Sequence, residues 1–499
     1  MRTLDTLQFD NTYARLPEAF HQAVFPTPYS DSCVVAFSPE AASLIDLAPT
    51  EASRPEFARQ LTLSLPMPGS WPIAQAYAGH QFGSFVPELG DGRAILLGEA
   101  VGAQPHVWNR YRNLSARRWD LHLKGAGRTR FSRGFDGRAV LRSCIREYLA
   151  SEAMEALGIP TSRAMAVLGS RDPVFRETPE PGAMLLRLAP SHLRFGSFEY
   201  FYHSRRLEEL HQLADYAIGT HFPTLDRGES PYAGLLREVT LRTAELIAHW
   251  QAYGFTHGVM NTDNFSLLGF TLDYGPFGFI EAFNPGHVSN HSDHAGVYAF
   301  ANQPQVGFFN LQCLVRALSP LLTREEAEEA LAGYEPALGQ CYLGLMADRL
   351  GLLHRRPEDE ELIGDLLPRL EGVDYTLFFR ELASLSTAGQ AAPDPLFLSG
   401  IAPAPDAISP WLLRYQARLR AEASDDATRR AHMNRVNPRF ILRNHHAQQA
   451  IELAMQGDYS GVASLHEVLR RPFDEQPGRE AYSRPAPAGT PAPVISCSS

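Results

Sequence analysis

Two short stretches decide the fold of this chain: His257-Gly258-Val259-Met260-Asn261-Thr262-Asp263-Asn264 and, nine positions after it, Asp273-Tyr274-Gly275. In phosphotransfer loops of the form H-x-D-x-x-x-x-N followed by D-x-G, the first Asp is a base, and the Asn and the later Asp bind a metal ion. Val259 stands where that base belongs, and a hydrocarbon cannot accept a proton. The metal ligands Asn264 and Asp273 are both present, so the pattern predicts a kinase-like site with an altered base.

Asp263 is the only acidic residue between His257 and Asp273, and it adjoins the predicted metal ligand Asn264. It is therefore the candidate for the displaced base, kept ionised by a neighbouring cation. Residues 265–272 read as two short apolar strands around a Gly turn, which would return Asp273 towards Asn264. Two oxygen ligands would then share one hard cation, Mg²⁺ or Mn²⁺. The alternative is a capped loop followed by an ordinary turn Asp.

Composition describes a globular protein of at least two lobes: 499 residues, 44% hydrophobic, 20% charged and a net charge of −11. The acidic balance argues against nucleic-acid or anionic-membrane binding. No apolar run has the length of a membrane span, and the N-terminus lacks a signal-peptide core. The five cysteines are scattered without C-x-x-C spacing. Together these features predict a cytoplasmic protein without a zinc or iron–sulfur site.

The order of patterns predicts an α+β fold in three parts. Residues 1–205 mix strand-like runs, Gly-rich turns and one strong helix, and residues 206–474 are mostly helical. Predicted helices in the second part cover 232–253, 324–331, 337–353 and 410–423. Pro-rich connections are expected at 391–395 and 402–410, and a tail at 475–499, rich in Pro, Ala, Gly and Ser, is expected to be disordered. A mixed N-lobe before a mainly helical C-lobe is the order of a protein-kinase-like fold.

Phosphate-handling features precede the metal motif. Gly90, Gly92 and Arg93 form a Gly-rich turn that feeds a strand, where backbone N–H groups and a guanidinium can approach phosphate oxygens. The alternating strand 120–124 then ends in Lys124. By itself the Gly-rich turn is equally well a tight hairpin.

An amphipathic helix is predicted over 138–157, with Glu147 on the flank of its apolar face. A strand Lys124 and a helix Glu147 resemble the ion pair that orients a kinase lysine towards phosphates. Between them, residues 125–138 hold four arginines and four glycines in fourteen positions, as in a polyanion-binding loop. The alternatives are a solvated helix charge and a flexible surface loop. Arg187 and Arg194 are weaker candidates of the same kind.

Several long blocks resemble the selenoprotein O (SelO, also YdiU) family across about 13–472. They are YAGHQFGSFVPELGDGRAILLGE, DLHLKGAGRTRFSRGFDGRAVLRSCIREYLASEAM, HGVMNTDNFSLLGFTLDYGPFGF, NHSDHAGVYAFANQP and NPRFILRNHHAQQAI. The resemblance implies a kinase-like pseudokinase fold and transfer of AMP from ATP to protein Ser, Thr or Tyr hydroxyls, with release of pyrophosphate. UMP transfer from UTP, a protein kinase using Asp263, and a noncatalytic ATP-binding scaffold are the alternatives.

Residue by residue, the resemblance assigns a role to each matching position. Asp263 is the implied proton acceptor, Glu147 pairs with Lys124, and Asn264 and Asp273 hold Mg²⁺. Nucleotide contacts are implied for Gly90, Gly92, Arg93, Lys124, Asp136, Gly137, Arg187 and Arg194. Asp136, Gly137 and an ATP flipped relative to kinases rest on the resemblance alone.

Two further signals are weaker. Some family members carry a redox-active residue at the place of Cys497, but the partner position in this chain is Ser289. The alternative to redox gating is therefore a solvent-exposed tail thiol. His287, His291 and His294 are spaced like zinc ligands. They lack a nearby fourth ligand, which favours a structural or substrate-facing role.

Overall fold

The computed structural model describes residues 1–225, 230–387, 398–487, 489–490 and 493–496. It is an α+β fold, as the sequence predicts. The strands are β1 His21–Ala23, β2 Cys33–Phe37, β3 Ile73–Gln75, β4 Gly79–Gln81, β5 Ser84–Val86, β6 Ala94–Asn109, β7 Leu114–Lys124, β8 Ala139–Val140, β9 Arg163–Phe175, β10 Pro179–Ala189, β11 Phe255–Thr256 and β12 Gly278–Phe279.

The helices begin among these strands and dominate the second half of the chain. They are α1 Pro39–Ser43, α2 Phe57–Leu61, α3 Leu141–Ala156, α4 Phe195–His203, α5 Leu207–His221, α6 Pro231–Tyr253, α7 Gln303–Leu318, α8 Arg324–Ala332, α9 Tyr334–Arg349, α10 Asp359–Gly364, α11 Tyr375–Leu382, α12 Ser409–Ala421, α13 Asp426–Val436, α14 Asn444–Met455 and α15 Ser460–Leu469. No helix in the described ranges has the length and apolarity that a bilayer crossing requires.

An antiparallel sheet organises the first part, with strand order β1-β3-β6-β7-β10-β9-β2 and β8 added beside β10. Two of its central strands bring polar residues together: His122 of β7 pairs with Arg187 of β10, and Lys124 of β7 follows two residues later, opposite Leu185. Because side chains alternate along a strand, His122 and Lys124 point to the same face. Helix α3 packs against β9 and β10 and brings Glu147 to this sheet.

Helix α6 is the centre of the second part and packs against α7, α8 and α9. Its indole Trp250 donates to the hydroxyl of Thr271 at 3.1 Å, which joins the helix to the turn before Asp273. One hydrophobic cluster continues from the sheet through α6 into the later helices. The metal motif therefore lies where the sheet-rich part and the helical part meet.

Helix boundaries differ from the predicted ones where caps intervene. The helix predicted over 337–353 spans Tyr334–Arg349 instead. Pro336 lies in its first turn, where a missing N–H costs no hydrogen bond, and Gly351 follows its end with φ +67°. The helix predicted from residue 138 begins at Leu141, because Ala139 and Val140 first pair with β10.

The predicted tail from residue 475 is mostly exposed in its described portion, but three of its described residues, Gln476, Ser483 and Ile495, are buried. Gln476 is buried and donates to the carbonyls of Val468 and Arg471. Ile495, also buried, accepts a hydrogen bond from the His291 backbone at 2.8 Å. The predicted connection at 391–395 and Cys497 lie outside the described residues.

Candidate active site

Four charged side chains from four elements meet at the junction of the two parts. The Lys124 ammonium lies 2.5 Å from Glu147 Oε2 and 2.8 Å from Asp273 Oδ1. Arg187 Nη1 lies 2.6 Å from the same Asp273 oxygen and 3.0 Å from Glu147 Oε1. Two cations therefore share two carboxylates. Burial by itself would raise the pKa of Asp273, but Lys124 and Arg187 hold it well below its usual range.

The loop after β11 carries the altered base position. The backbone carbonyl of Val259 accepts a hydrogen bond from the Asn264 side-chain nitrogen at 3.0 Å. This contact leaves the Asn264 side-chain oxygen as the atom that can meet a cation. An amide oxygen here and the carboxylate of Asp273 form a donor set that fits a hard cation such as Mg²⁺ or Mn²⁺.

The chain returns from Asn264 to Asp273 through a tight turn. Phe265 and Thr271 form a single antiparallel bridge, and Gly269 takes φ +77° within the turn. The predicted hairpin is thus reduced to one bridge. The turn lies close against α6, since a side chain at Gly269 would meet Arg242. The two predicted metal ligands flank this turn.

Asp263 lies on a helical turn, Thr262–Asn264, at the edge of the cleft. Its Oδ2 faces the side-chain amide of Gln81 at 3.4 Å, while its buried Oδ1 has no hydrogen-bond partner within the described part of the chain. Removal from water raises the pKa of Asp263 to about 7. Burial therefore opposes the ionised form that the sequence led us to expect, while the charge of Arg194 favours it. A pKa of about 7 lies in the range in which a general base works best.

The Gly-rich turn is held against the following loop. Gly90 has φ +55°, and a side chain there would clash with the ring of Phe131. Gly92 accepts a hydrogen bond on its carbonyl from the Ser132 hydroxyl at 2.5 Å. The Arg93 side chain is exposed. The backbone carbonyl of Arg93 accepts a hydrogen bond from the N–H of Gly125, which is next to Lys124. The turn therefore lies beside the charged cluster.

The loop over residues 125–138 places its predicted contacts less directly. Asp136 forms an ion pair with Arg176 at 2.7 Å and accepts from the Arg138 backbone at 2.9 Å. Gly137 packs on Gly127, whose N–H donates to the Gly137 carbonyl at 3.0 Å. These contacts order the loop, and within the described part of the chain the hydrogen bonds and ion pairs of Asp136 and Gly137 join other loop residues and Arg176 rather than Lys124 or Asp273.

The predicted Arg194 is buried at the start of α4. Its guanidinium lies 4.0 Å from the centre of the Tyr77 ring and 3.4 Å from Asp91 Oδ1. The Nε atoms of Arg187 and Arg194 are buried and have no hydrogen-bond partner among the described residues. Two forked cations thus retain unused donors beside the cluster, as a phosphate-binding site requires.

Residues that sequence reasoning missed support the Asp263 loop. Glu199 of α4 is fully buried, binds His80 Nδ1 at 2.5 Å and accepts a short hydrogen bond from the Thr262 hydroxyl. With Cys313, these residues bring three possible metal ligands within 4.8 Å. However, two donors on a tetrahedral zinc with bonds of about 2.0 Å lie roughly 3.3 Å apart, so the 2.5 Å contact is a hydrogen bond.

Another missed group, Asp91 and His122, lies behind the arginines. The sequence indicates this group by one pattern, because Asp120, His122 and Lys124 alternate with two leucines. In the structure all three polar residues are buried. A polar face on a fully buried strand needs partners from neighbouring strands.

Known proteins are similar to this chain over nearly its whole length. Residues 3–470 match the family described as "Protein adenylyltransferase SelO". Proteins named "Protein nucleotidyltransferase YdiU" are similar over the full length of both chains: 52% identical in Myxococcus xanthus, 51% in Thioalkalivibrio sulfidiphilus and 48% in Pseudomonas aeruginosa.

Proposed function

The chain belongs to the SelO family of protein adenylyltransferases, and we propose that it transfers AMP from ATP to Ser, Thr or Tyr hydroxyls of proteins, releasing pyrophosphate. The observation that carries this proposal is the charged cluster of Lys124, Glu147, Arg187 and Asp273 beside Asn264 and Asp263. It combines phosphate-binding cations, oxygen ligands for a metal ion and a carboxyl group of suitable pKa.

We further propose that the fold is protein-kinase-like, with an N-lobe at 1–205, a C-lobe at 206–474 and a tail at 475–499. Support comes from an antiparallel sheet, a Lys on one of its strands and a Glu on the helix that packs on it. The metal motif lies early in the mainly helical second part, which is its position in a kinase-like chain.

Each of these side chains has one role in the proposed reaction. Lys124, Arg187, Arg194 and Arg93 neutralise the phosphates, and Asn264 with Asp273 would hold Mg²⁺ or Mn²⁺, which offsets the charge developing on the phosphate oxygens. Asp263 takes the proton of the acceptor hydroxyl. The hydroxyl oxygen then bonds to the α-phosphorus, while the bond from that phosphorus to the pyrophosphate oxygen breaks.

The present contacts also predict a rearrangement on binding. Lys124 and Arg187 both contact Oδ1 of Asp273, the carboxylate that would hold the metal ion. Nucleotide phosphates offer both side chains new acceptors, so ATP and the metal ion should bind cooperatively. Either ligand by itself would leave an unpaired charge in the cleft.

Labelled nucleotides distinguish the proposal from its alternatives. With Mg²⁺ and a protein acceptor, label from the α-phosphate of ATP should enter protein, and label from the γ-phosphate should not. Incorporation of γ-label would instead identify a protein kinase, and incorporation from UTP but not ATP would identify a uridylyltransferase. Binding of ATP without transfer of either label would identify a scaffold.

A further inference from the structure

His122 occupies the space behind the two candidate phosphate-binding arginines. It lies on β7 with no exposed surface, and its Nδ1 is 2.8 Å from Arg187 Nη2. A guanidinium can only donate, so Nδ1 must accept. The ring proton is therefore on Nε2, which lies 3.2 Å from Asp91 Oδ1. These contacts require a neutral imidazole in a single tautomer, in agreement with burial that lowers the pKa of His122 to about 4.

Asp91 extends this chain of contacts to the second arginine. Its Oδ1 is 3.4 Å from Arg194 Nη1, and its Oδ2 accepts from the Gln75 backbone at 3.0 Å. Asp91 is itself buried. One imidazole and one carboxylate thus connect Arg187 of β10 to Arg194 at the start of α4.

A second histidine closes the back of this network. The rings of His122 and His192 stack with centroids 4.1 Å apart and an angle of 16°. His192 is fixed in turn by Asp120, whose Oδ2 lies 3.0 Å from its Nδ1 and accepts its backbone N–H at 2.8 Å. The His122 ring is therefore held by its two hydrogen bonds and by this stacking contact.

We propose that His122 and Asp91 are positioning residues, which hold the guanidinium groups of Arg187 and Arg194 in their phosphate-binding orientation before the nucleotide arrives. This inference rests on the proposed function. An arginine loses much rotational freedom when it binds a phosphate, and a side chain ordered in advance avoids that loss at the moment of binding. His122 acts directly on Arg187 and, through Asp91, on Arg194. It has no exposed surface, so it cannot itself contact a bound nucleotide or metal ion.

The test compares ATP affinity in a double-mutant cycle. Binding of ATP with Mg²⁺ is measured by calorimetry for the wild type, His122→Phe, Arg187→Met and the double variant. Phe keeps the ring and its stacking on His192 but removes the acceptor for Arg187 and the donor to Asp91. We expect each single variant to weaken ATP binding about tenfold, which corresponds to the loss of one charge-assisted hydrogen bond. The double variant should be weaker than Arg187→Met by clearly less than tenfold, because only the path through Asp91 to Arg194 remains to be lost.

Two further measurements separate positioning from general damage. Adenosine has no phosphates, so it should bind the wild type and His122→Phe equally well. His122→Asn retains an acceptor oxygen near the position of Nδ1, and it should recover most of the ATP affinity. A loss of adenosine affinity equal to that of ATP, or no recovery in His122→Asn, would overturn the inference.

The outcomes also distinguish the inference from the function on which it rests. Additive losses in the cycle, or an unaffected His122→Phe beside a weakened Arg187→Met, would overturn the positioning role alone. An Arg187→Met variant with wild-type ATP affinity would instead remove Arg187 from the phosphate site.

Discussion

At the scale of single residues, Asp273 is the predicted anionic metal ligand, and it also contacts both Lys124 and Arg187. Asp273→Ala should abolish transfer and remove the Mg²⁺ dependence of ATP binding. The matched control is Asp215→Ala, which removes an exposed carboxylate on α5. Calorimetry with Mg²⁺ and with a chelator gives the measurement. Undiminished transfer by folded Asp273→Ala would disprove the metal assignment.

Lys124 and Glu147 provide a second test at this scale. If Glu147 serves to orient Lys124, either truncation should impair nucleotide use, and the double variant should be little worse than the more damaged single variant. Steady-state transfer rates of Lys124→Ala, Glu147→Ala and the double variant decide the point. Fully additive losses would show that the two residues act independently.

At the scale of elements, the β4–β5 hairpin lies against the Asp263 loop. A Cβ atom at Gly79 would lie 2.6 Å from Asp263 Oδ1, so the hairpin approaches the base as closely as a glycine permits. Gly79→Ala should displace the carboxyl group and reduce transfer by about 10²-fold, the cost of an error of about 1 Å in a catalytic group. Transfer rates and ATP affinity are measured together.

Gly219 of α5 supplies the control, because a Cβ atom there meets nothing within 4 Å. Gly219→Ala should leave transfer unchanged and raise the free energy of unfolding by about 0.5–1 kcal/mol. If Gly79→Ala retained full activity, the hairpin would have no part in placing Asp263.

The junction of α3 and β9 gives a prediction on stability. Glu152 and Arg163 form a buried bidentate pair at 2.8 Å. Arg163→Met should lower the free energy of unfolding by about 3–5 kcal/mol at neutral pH, because the Glu152 charge remains buried without its partner. Urea denaturation measures the difference.

The pH dependence of this effect has a defined sign. Burial opposes ionisation of Glu152, but Arg163 prevails and lowers its pKa to about 2. Because folding lowers the pKa of Glu152, its ionised carboxylate stabilises the folded state at pH values above the ordinary pKa of glutamate. This stabilisation disappears as the pH falls towards 2. The difference between the wild type and Arg163→Met should therefore shrink on acidification. A difference independent of pH would show that the lost packing of Arg163, rather than its charge, causes the effect.

At the scale of the whole molecule, the sequence predicts the features that depend on the spacing of residues close together in the chain. Asn264 and Asp273 follow from a motif whose spacing is fixed by metal chemistry, and the mostly helical second half follows from hydrophobic periodicity. Glu199 could not be found this way, because α4 is short and apolar around most of its surface. His122 and Asp91 were missed because their partners lie 31 and 65 residues away and meet only in the folded sheet.

The described tail contains contacts that local reasoning does not predict. Its composition resembles that of a disordered segment, yet Gln476 and Ile495 are buried against the helical part. Composition reports the average cost of ordering a segment, and a few specific contacts with distant residues can offset that cost.

The central claim is that Asp263 replaces the base missing at Val259. The most direct measurement is the single-turnover rate of AMP transfer at saturating ATP for the wild type and Asp263→Asn, with ATP affinity determined in parallel. Asn keeps the shape and some capping capacity of the side chain but cannot take a proton. We expect the rate to fall by roughly 10²–10⁴-fold while ATP affinity changes much less. An Asp263→Asn enzyme that retained most of its rate would contradict the claim, because transfer would then depend on positioning and metal electrostatics without this base.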